Sequence, residues 1–388
     1  MPRRRSRREF VNAAVAGLGG VLAASRRGDI LAAESAPSEQ NAMNTRPIVG
    51  VIRWDAWHGD QGLPGQAVER ALGPKRWQSR IPFFGKVVSE DKVEIRGYTP
   101  AIMDQEIAYA RQAGLDYWAF VTYEPDTSMS LGLEAYLASP RKADIRFCLL
   151  TECGRWGTPE AHRPRVERFL KLMAEPTYQK VLGDRPLLYV GFMKDDWLNR
   201  WGGTDGARKL FDGFRAEAQE AGLGNPYIVL MDFSAARGAK LADALGLDAL
   251  SAYATQAAGN ATPYASLAKH AERFWQQCKA TGKNVVPIAM SGWDRRPRVE
   301  HPVPWEKRQQ PGVGIEKHYV APTPAELAAH VERAVNWARD NPAACPAQAV
   351  IIYAWNEHDE GGWLCPTLSE GTARIEALGK VLGPPSRP

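Results

Sequence analysis

Residues 99–123 read TPAIMDQEIAYARQAGLDYWAFVTY. Thr99 offers a hydroxyl cap, Pro100 sits where the first helical position has no use for an N–H, and Gly114 is a stop. The stretch between them predicts a helix over Pro100–Ala113. Behind the glycine comes Leu115–Tyr123, a run of apolar residues without the alternation of a half-exposed strand. Strands covered on both faces read this way, as in parallel sheets whose crossovers are helices. A helix passed through a tight turn into a buried strand is half of a βαβ unit.

Outward from this unit the pattern repeats. The other candidate strands are Ile48–Trp54, Ile145–Thr151, Pro186–Phe192, Tyr227–Phe233, Ala249–Tyr253, Val285–Met290 and Ala349–Ala354. Helical patterns fall between them over Met129–Ala138, Pro159–Met173, Asp205–Ala221, Ala235–Leu245, Pro263–Ala280, Pro324–Asp340 and Glu370–Leu382. Eight strands alternating with eight helices predict an α/β fold, a single-domain (β/α)8 TIM barrel over residues 47–384. A doubly wound open sheet is the alternative, but the place of its Gly-rich phosphate turn holds Asp55-Ala56-Trp57-His58. Long loops follow strands one (Asp55 to Tyr98) and seven (Gly292 to Val320), and their aromatic content suits the walls of a cleft.

The formal charge of +5 suggests a polyanionic partner until it is located. Residues 1–33 hold seven Arg against Glu9 and Asp29, which accounts for all of it. The rest is neutral overall, so no nucleic acid is expected as a partner. Ser6-Arg7-Arg8-Glu9-Phe10-Val11-Asn12 resembles a twin-arginine export signal, and Ala13 to Ala24 is a short, mildly apolar stretch behind it. A basic tail is the alternative. The expectation is a signal peptide over 1–33, a linker over 34–46, passage through the twin-arginine translocation machinery, and a periplasmic or secreted protein without a membrane span. The five cysteines show no C-x-x-C or zinc spacing and are expected as buried thiols. Metalloprotease, dinucleotide and P-loop motifs are missing too, so neither a metal nor another cofactor is expected.

In a barrel, chemistry sits on the loops leaving the C-terminal ends of the strands. Here those ends supply Trp54 and Asp55, Tyr123 and Glu124, Glu152, Asp232, Tyr253, and Trp293, Asp294 and Arg296. Aromatic faces beside carboxylates and amides suit a sugar ring, whose C–H faces stack while its hydroxyls need partners. We therefore take these residues, with Asn356 and His358, as candidate carbohydrate-binding positions. The last strand runs into Trp355-Asn356-Glu357-His358-Asp359-Glu360-Gly361-Gly362. Glu357 and Glu360, three positions apart on a turn, can stand about 5–6 Å from each other. That is the spacing of a retaining rather than an inverting glycosidase. The alternative for the cluster is a structural ion-pair network with Arg295, Arg296 or Arg298.

Two segments carry a family resemblance. Ser291-Gly292-Trp293-Asp294-Arg295-Arg296-Pro297-Arg298 resembles a G-W-D-x-R-P-R segment of WbsX-type proteins. Ala354-Trp355-Asn356-Glu357-His358-Asp359-Glu360-Gly361 resembles the A-W-N-E-W-x-E-G segment of those proteins and of glycoside hydrolase family 99, the endo-α-mannosidase group. The resemblance implies a metal-independent retaining glycosidase on a (β/α)8 barrel. In it Glu357 would act as base on the sugar 2-hydroxyl, giving an epoxide-like intermediate, and Glu360 as acid and then base at the leaving group. The residue spacing leaves an ordinary covalent carboxylate intermediate equally open. His358 stands where the family carries Trp, which alters a wall of the expected cleft and leaves the sugar unspecified. A WbsX-type polysaccharide glycosyltransferase and a non-catalytic carbohydrate-binding barrel are the competing functions. Export away from cytoplasmic sugar nucleotides disfavours the first, and the presence of both carboxylates disfavours the second.

Overall fold

The Thr99 hydroxyl accepts the Ile102 N–H at 3.3 Å and the helix runs Pro100–Gln112. The strand behind it is Tyr117–Val121, with all five residues buried. Asp116 ends the linking turn: its carboxylate accepts the Val49 N–H at 2.6 Å and pairs with Arg46 at 2.6 Å. The computed structural model describes residues 46–257 and 259–385. The expected signal over 1–33 and nearly all of the expected linker lie outside the described residues. Arg46, placed in that linker, is instead fixed to the fold, since its guanidinium also donates to the Gly114 and Leu382 carbonyls.

The remaining main strands are Ile48–Arg53, Arg146–Glu152, Arg185–Gly191, Tyr227–Met231, Ala249–Ser251 and Ala349–Tyr353, with the seventh in two pieces, Asn284–Val285 and Ile288–Met290. Nine strands run parallel along one path, and Lys180–Val181 adds an antiparallel tenth beside Arg185–Gly191. The path starts at Asn284–Val285 beside the sixth strand and ends at Ile288–Met290 beside the eighth. Its two ends are thus one stretch of chain divided at Val286 and Pro287. The Val286 N–H bonds Leu250 O, while the Pro287 carbonyl accepts the Ile351 N–H at 3.0 Å. A proline has no N–H for a ladder, so the expected continuous strand is interrupted there.

The sheet is curled, as in a TIM-like α/β fold, and its inner face is filled. Tyr117 and Tyr189, from the second and fourth strands, bring their hydroxyls to 2.7 Å, and Tyr117 also donates to Val350 O in the eighth at 3.1 Å. Gly50 makes room for this, because a Cβ there would stand 2.1 Å from the Tyr117 ring. Both sheet faces carry fully buried Val, Ile, Leu and Phe, each contributing about 1.5–3 kcal/mol by leaving water. All five cysteines are free and buried.

Helices Pro324–Asp340 and Ala235–Leu245 match the sequence expectation residue for residue. The former carries a full capping box between Thr323 and Glu326. The expected Pro159–Met173 helix starts at Arg163, because Pro164 rather than Pro159 takes the first turn. The first long loop holds a helix, Leu63–Leu72, and a hairpin, Gly85–Ser89 with Lys92–Ile95; the second holds a short helix, Arg296–Glu300. Among the described residues no helix is long and apolar enough to cross a membrane.

Candidate active site

The eighth strand ends at Tyr353, whose peptide bond to Ala354 is cis. Beyond it, Asn356–Glu357 pairs antiparallel with Gly362–Trp363, and His358–Glu360 form one 3-10 turn between them. Gly361 closes that turn at φ 81°, where a Cβ would stand 2.4 Å from the Asp294 nitrogen. The glycine therefore lets the seventh loop dock, and the Asp294 N–H donates to Glu360 O at 2.7 Å. The first strand holds the other side. Trp355 N–H donates to Ile52 O at 2.7 Å, and Asn356 Oδ1 accepts the Trp54 N–H at 2.9 Å.

This framework leaves Glu357 3% and Glu360 8% exposed, around a single guanidinium. Arg298 donates to Asp359 at 2.6 Å, to Glu360 Oε1 at 2.5 Å and to Glu357 Oε2 at 3.2 Å. Its guanidinium lies 5.0 Å from the Trp54 ring and 5.7 Å from the Trp305 ring. Glu360 also accepts from the Tyr353 hydroxyl and forms an ion pair with Arg295 at 3.1 Å, without the alignment of a hydrogen bond. Glu357 accepts from Tyr253 at 2.6 Å.

The two carboxyls are driven apart in acidity. Burial, then the charges of Glu360 and Asp359, push Glu357 up to about 8 against the pull of Arg298 and the Tyr253 hydrogen bond. Burial also works to raise Glu360, but Arg298 and Arg295, with the Tyr353 hydrogen bond, outweigh it and hold that group below the usual glutamate range. Side by side they provide one proton and one carboxylate, the equipment of acid–base catalysis. Among the described residues no group of three or more His, Cys, Asp or Glu is arranged to hold a metal ion.

The pair opens into a cleft of about 540 Å³. Expected binding positions Trp54, Tyr123, Glu152, Tyr253 and Trp293 all line it. Ring contacts run in one chain from Phe233 at the rim through Phe192, Tyr253 and Tyr353 to Trp293, at centroid spacings between 5.4 and 6.1 Å. Trp305, 40% exposed, meets Trp54 edge to face at 5.6 Å. Trp305, Phe192, Phe233, Gln256 and Glu306, none of them among the expected positions, also line the cleft. Arg295 and Arg298 had one legible signal: three positions apart on a helical turn, they share a face.

Seven expected positions lie elsewhere. Glu124 pairs with Arg165 at 2.9 Å and lines a separate groove. Asp232 binds Arg237 and the Ser234 N–H, tying down the start of the following helix. Asp294 and Arg296 bind one another, with Arg80 on the same carboxylate. Burial opposes ionisation of Asp294, but Arg296 and Arg80 prevail and lower it. Asn356 is spent on Trp54 and Asp55. Asp55 is buried against Arg53, and burial pushes it up to about 6 despite that arginine. His358 does not line the cleft: it is fully buried, stacked on Trp363 at 5.8 Å and edge-on to Trp57 at 5.1 Å. Burial lowers it to about 3 against the pull of the Arg80 backbone, the polar neighbour of its ring, so it is a neutral packing residue. The ion-pair network weighed as the alternative is present through Arg298 and Arg295, and its carboxylates are at the same time the wall of the cleft.

The fold and site define a TIM-like α/β protein with a paired-carboxylate cleft. No family model and no curated protein sequence matches the chain. Among solved structures it is similar to the family 99 endo-α-mannosidase of Bacteroides thetaiotaomicron, alone and in complex with bis-tris-propane. Both superpose with TM-score 0.50 at 14% identity over 86% of this chain, covering 95% and 94% of theirs. At that identity the likeness is one of fold.

Proposed function

We propose that this protein is a retaining glycoside hydrolase on a closed (β/α)8 barrel, acting on a polysaccharide or oligosaccharide through Glu357 and Glu360. The observation that carries the reading is the pair itself. Two buried carboxylates share one guanidinium at the wall of an aromatic cleft, with opposite proton affinities. Closure of the barrel is supported by the two halves of the seventh strand bonding to opposite ends of the sheet path. Trp54, Trp293 and Trp305 would stack on sugar faces, with Glu152 and Tyr123 binding hydroxyls.

In the protein alone the proton belongs on Glu357, which receives one hydroxyl donor and a longer Arg298 contact, 3.2 Å, than the 2.5 Å one to Glu360. Glu360, held by Arg298, Arg295 and Tyr353, is the carboxylate. We accordingly assign Glu357 as acid toward the leaving oxygen, the reverse of the roles the family resemblance implies. Glu360 then acts as base on the 2-hydroxyl or as nucleophile at the anomeric carbon. Export by the twin-arginine route to the periplasm or beyond belongs to the same proposal, on the strength of Arg7-Arg8 and the stretch Ala13 to Ala24.

The test is a glycan panel, beginning with α-mannose-containing polymers and scored by new reducing ends, run beside Glu357→Gln and Glu360→Gln. Each variant should lose about 10²–10⁴-fold in kcat. With an activated aryl leaving group, Glu357→Gln should recover turnover and Glu360→Gln should not. Recovery in Glu360→Gln alone reverses the assignment. Variants that match wild type, or turnover only with a sugar-nucleotide donor, overturn the hydrolase reading.

A further inference from the structure

Loop seven brings a fourth carboxylate to the arginines of the pair. Glu306 binds Arg295 in a close ion pair and lies 3.5 Å from Arg298 Nη1, the nitrogen that also donates to Glu360. Its neighbour Trp305 covers the Arg298 guanidinium, whose other ring contact is Trp54. Both residues line the cleft, and the loop behind them is pinned where Asn260 pairs with Lys317 and Thr262 with Tyr319. Glu306 therefore competes with Glu360 for both guanidiniums.

We propose that Glu306 is a positioning residue for the catalytic pair: it divides Arg295 and Arg298 between itself and the two carboxylates, and so sets which of them keeps the proton. The groups facing the pair make this a balance that one charge can tip. Glu357 meets Asp359 and Glu360 from its own turn, Arg298 from loop seven, the Tyr253 hydroxyl from the end of strand six, Tyr353 from strand eight and Tyr123 from the end of strand two. Glu360 meets Tyr353 from strand eight and both arginines from loop seven. Two positive charges thus face four carboxylates, Glu306 included. Losing the charge of Glu306 removes a repulsion and returns both guanidiniums to the pair, which favours the ionised form of each remaining carboxyl. Glu306 need not touch a sugar for this, and a purely structural salt bridge would leave the titration alone.

The inference rests on Glu357 and Glu360 being the working pair, but its test does not require turnover. The protonated carboxyl C=O band is followed by infrared titration between about pH 5 and 9. The component lost in Glu357→Gln is assigned to Glu357. In Glu306→Gln that component should titrate about one unit lower, and in Glu306→Asp it should stay with wild type. Should Glu306→Gln fail to fold, Arg295→Gln gives the opposite arm: removing a cation moves the titration upward. An unmoved component in folded Glu306→Gln or Arg295→Gln, or no titrating component lost in Glu357→Gln, overturns the proposal. On any glycan that is hydrolysed, the alkaline limb of the rate profile should move with the infrared midpoint. Shifts without hydrolysis of any glycan would sink the hydrolase reading and leave this one standing.

Discussion

Tyr253, just beyond the sixth strand, donates its hydroxyl to Glu357 Oε1 at 2.6 Å across 104 positions of sequence. The bond favours the charged form of the carboxyl and opposes the burial that raises it. Tyr253→Phe should therefore make Glu357 harder to ionise and move the alkaline limb of the rate profile up by about one unit. A profile shifted downward, or unchanged with the ring still in place, contradicts the assignment of that limb to Glu357.

Arg298 is buried among Glu357, Asp359 and Glu360. Removing one partner of a buried charge network leaves the others uncompensated, at a cost of about 3–5 kcal/mol. Arg298→Met should lose that much in urea unfolding. Arg298→Lys should recover only part of it, because an ammonium cannot fork between three carboxylates. A Met variant within about 1 kcal/mol of wild type would mean that the carboxylates simply take up protons.

Stability should depend on pH in a direction set by Glu357. Its folded pKa, about 8, lies above the ordinary 4.5, so the folded state binds the proton more tightly. The stabilisation is complete below about pH 4.5 and is lost as pH rises toward 8. Glu360 is lowered, so its contribution is present above the ordinary value and is lost on acidification. Unfolding free energies measured across this range should show a decline toward pH 8 that Glu357→Gln flattens. An equal decline in that variant would place the titrating group elsewhere.

His358 offers a contrast, a neutral buried ring whose polar neighbour is the Arg80 backbone, without a well-aligned hydrogen bond. Replacing a poorly satisfied buried polar ring by an apolar one of similar shape removes part of a desolvation cost of about 1–3 kcal/mol. His358→Phe should hold or raise the thermal midpoint and keep any glycan turnover within a few-fold. A loss of about 10²-fold or more with the fold intact would restore His358 to the chemistry.

Much of this architecture was legible because burial on both faces leaves a plain trace, as in Tyr117–Val121 and Ala349–Tyr353. The Thr99 cap was equally plain. The break at Pro287 was not, since a proline inside an apolar run does not say which neighbour takes each half. Polar residues at strand ends look alike whether they face a cleft or hold a helix. Glu124 and Asp232 are separated from Glu152 only by Arg165 and Arg237, which arrive from the helices that follow. The segment 295–298 carries three arginines, and only the short helix Arg296–Glu300 decides that the first and last reach the pair while the middle one folds back on Asp294.

The contacts of Trp355 with Ile52 and of Asn356 with Trp54 join the first and last main strands at the site. During synthesis the cleft therefore cannot be assembled until the ribosome has passed Glu360. Premature termination before Ala349 yields a product without the eighth strand and without either carboxyl of the pair, so the two arrive together with the completed sheet.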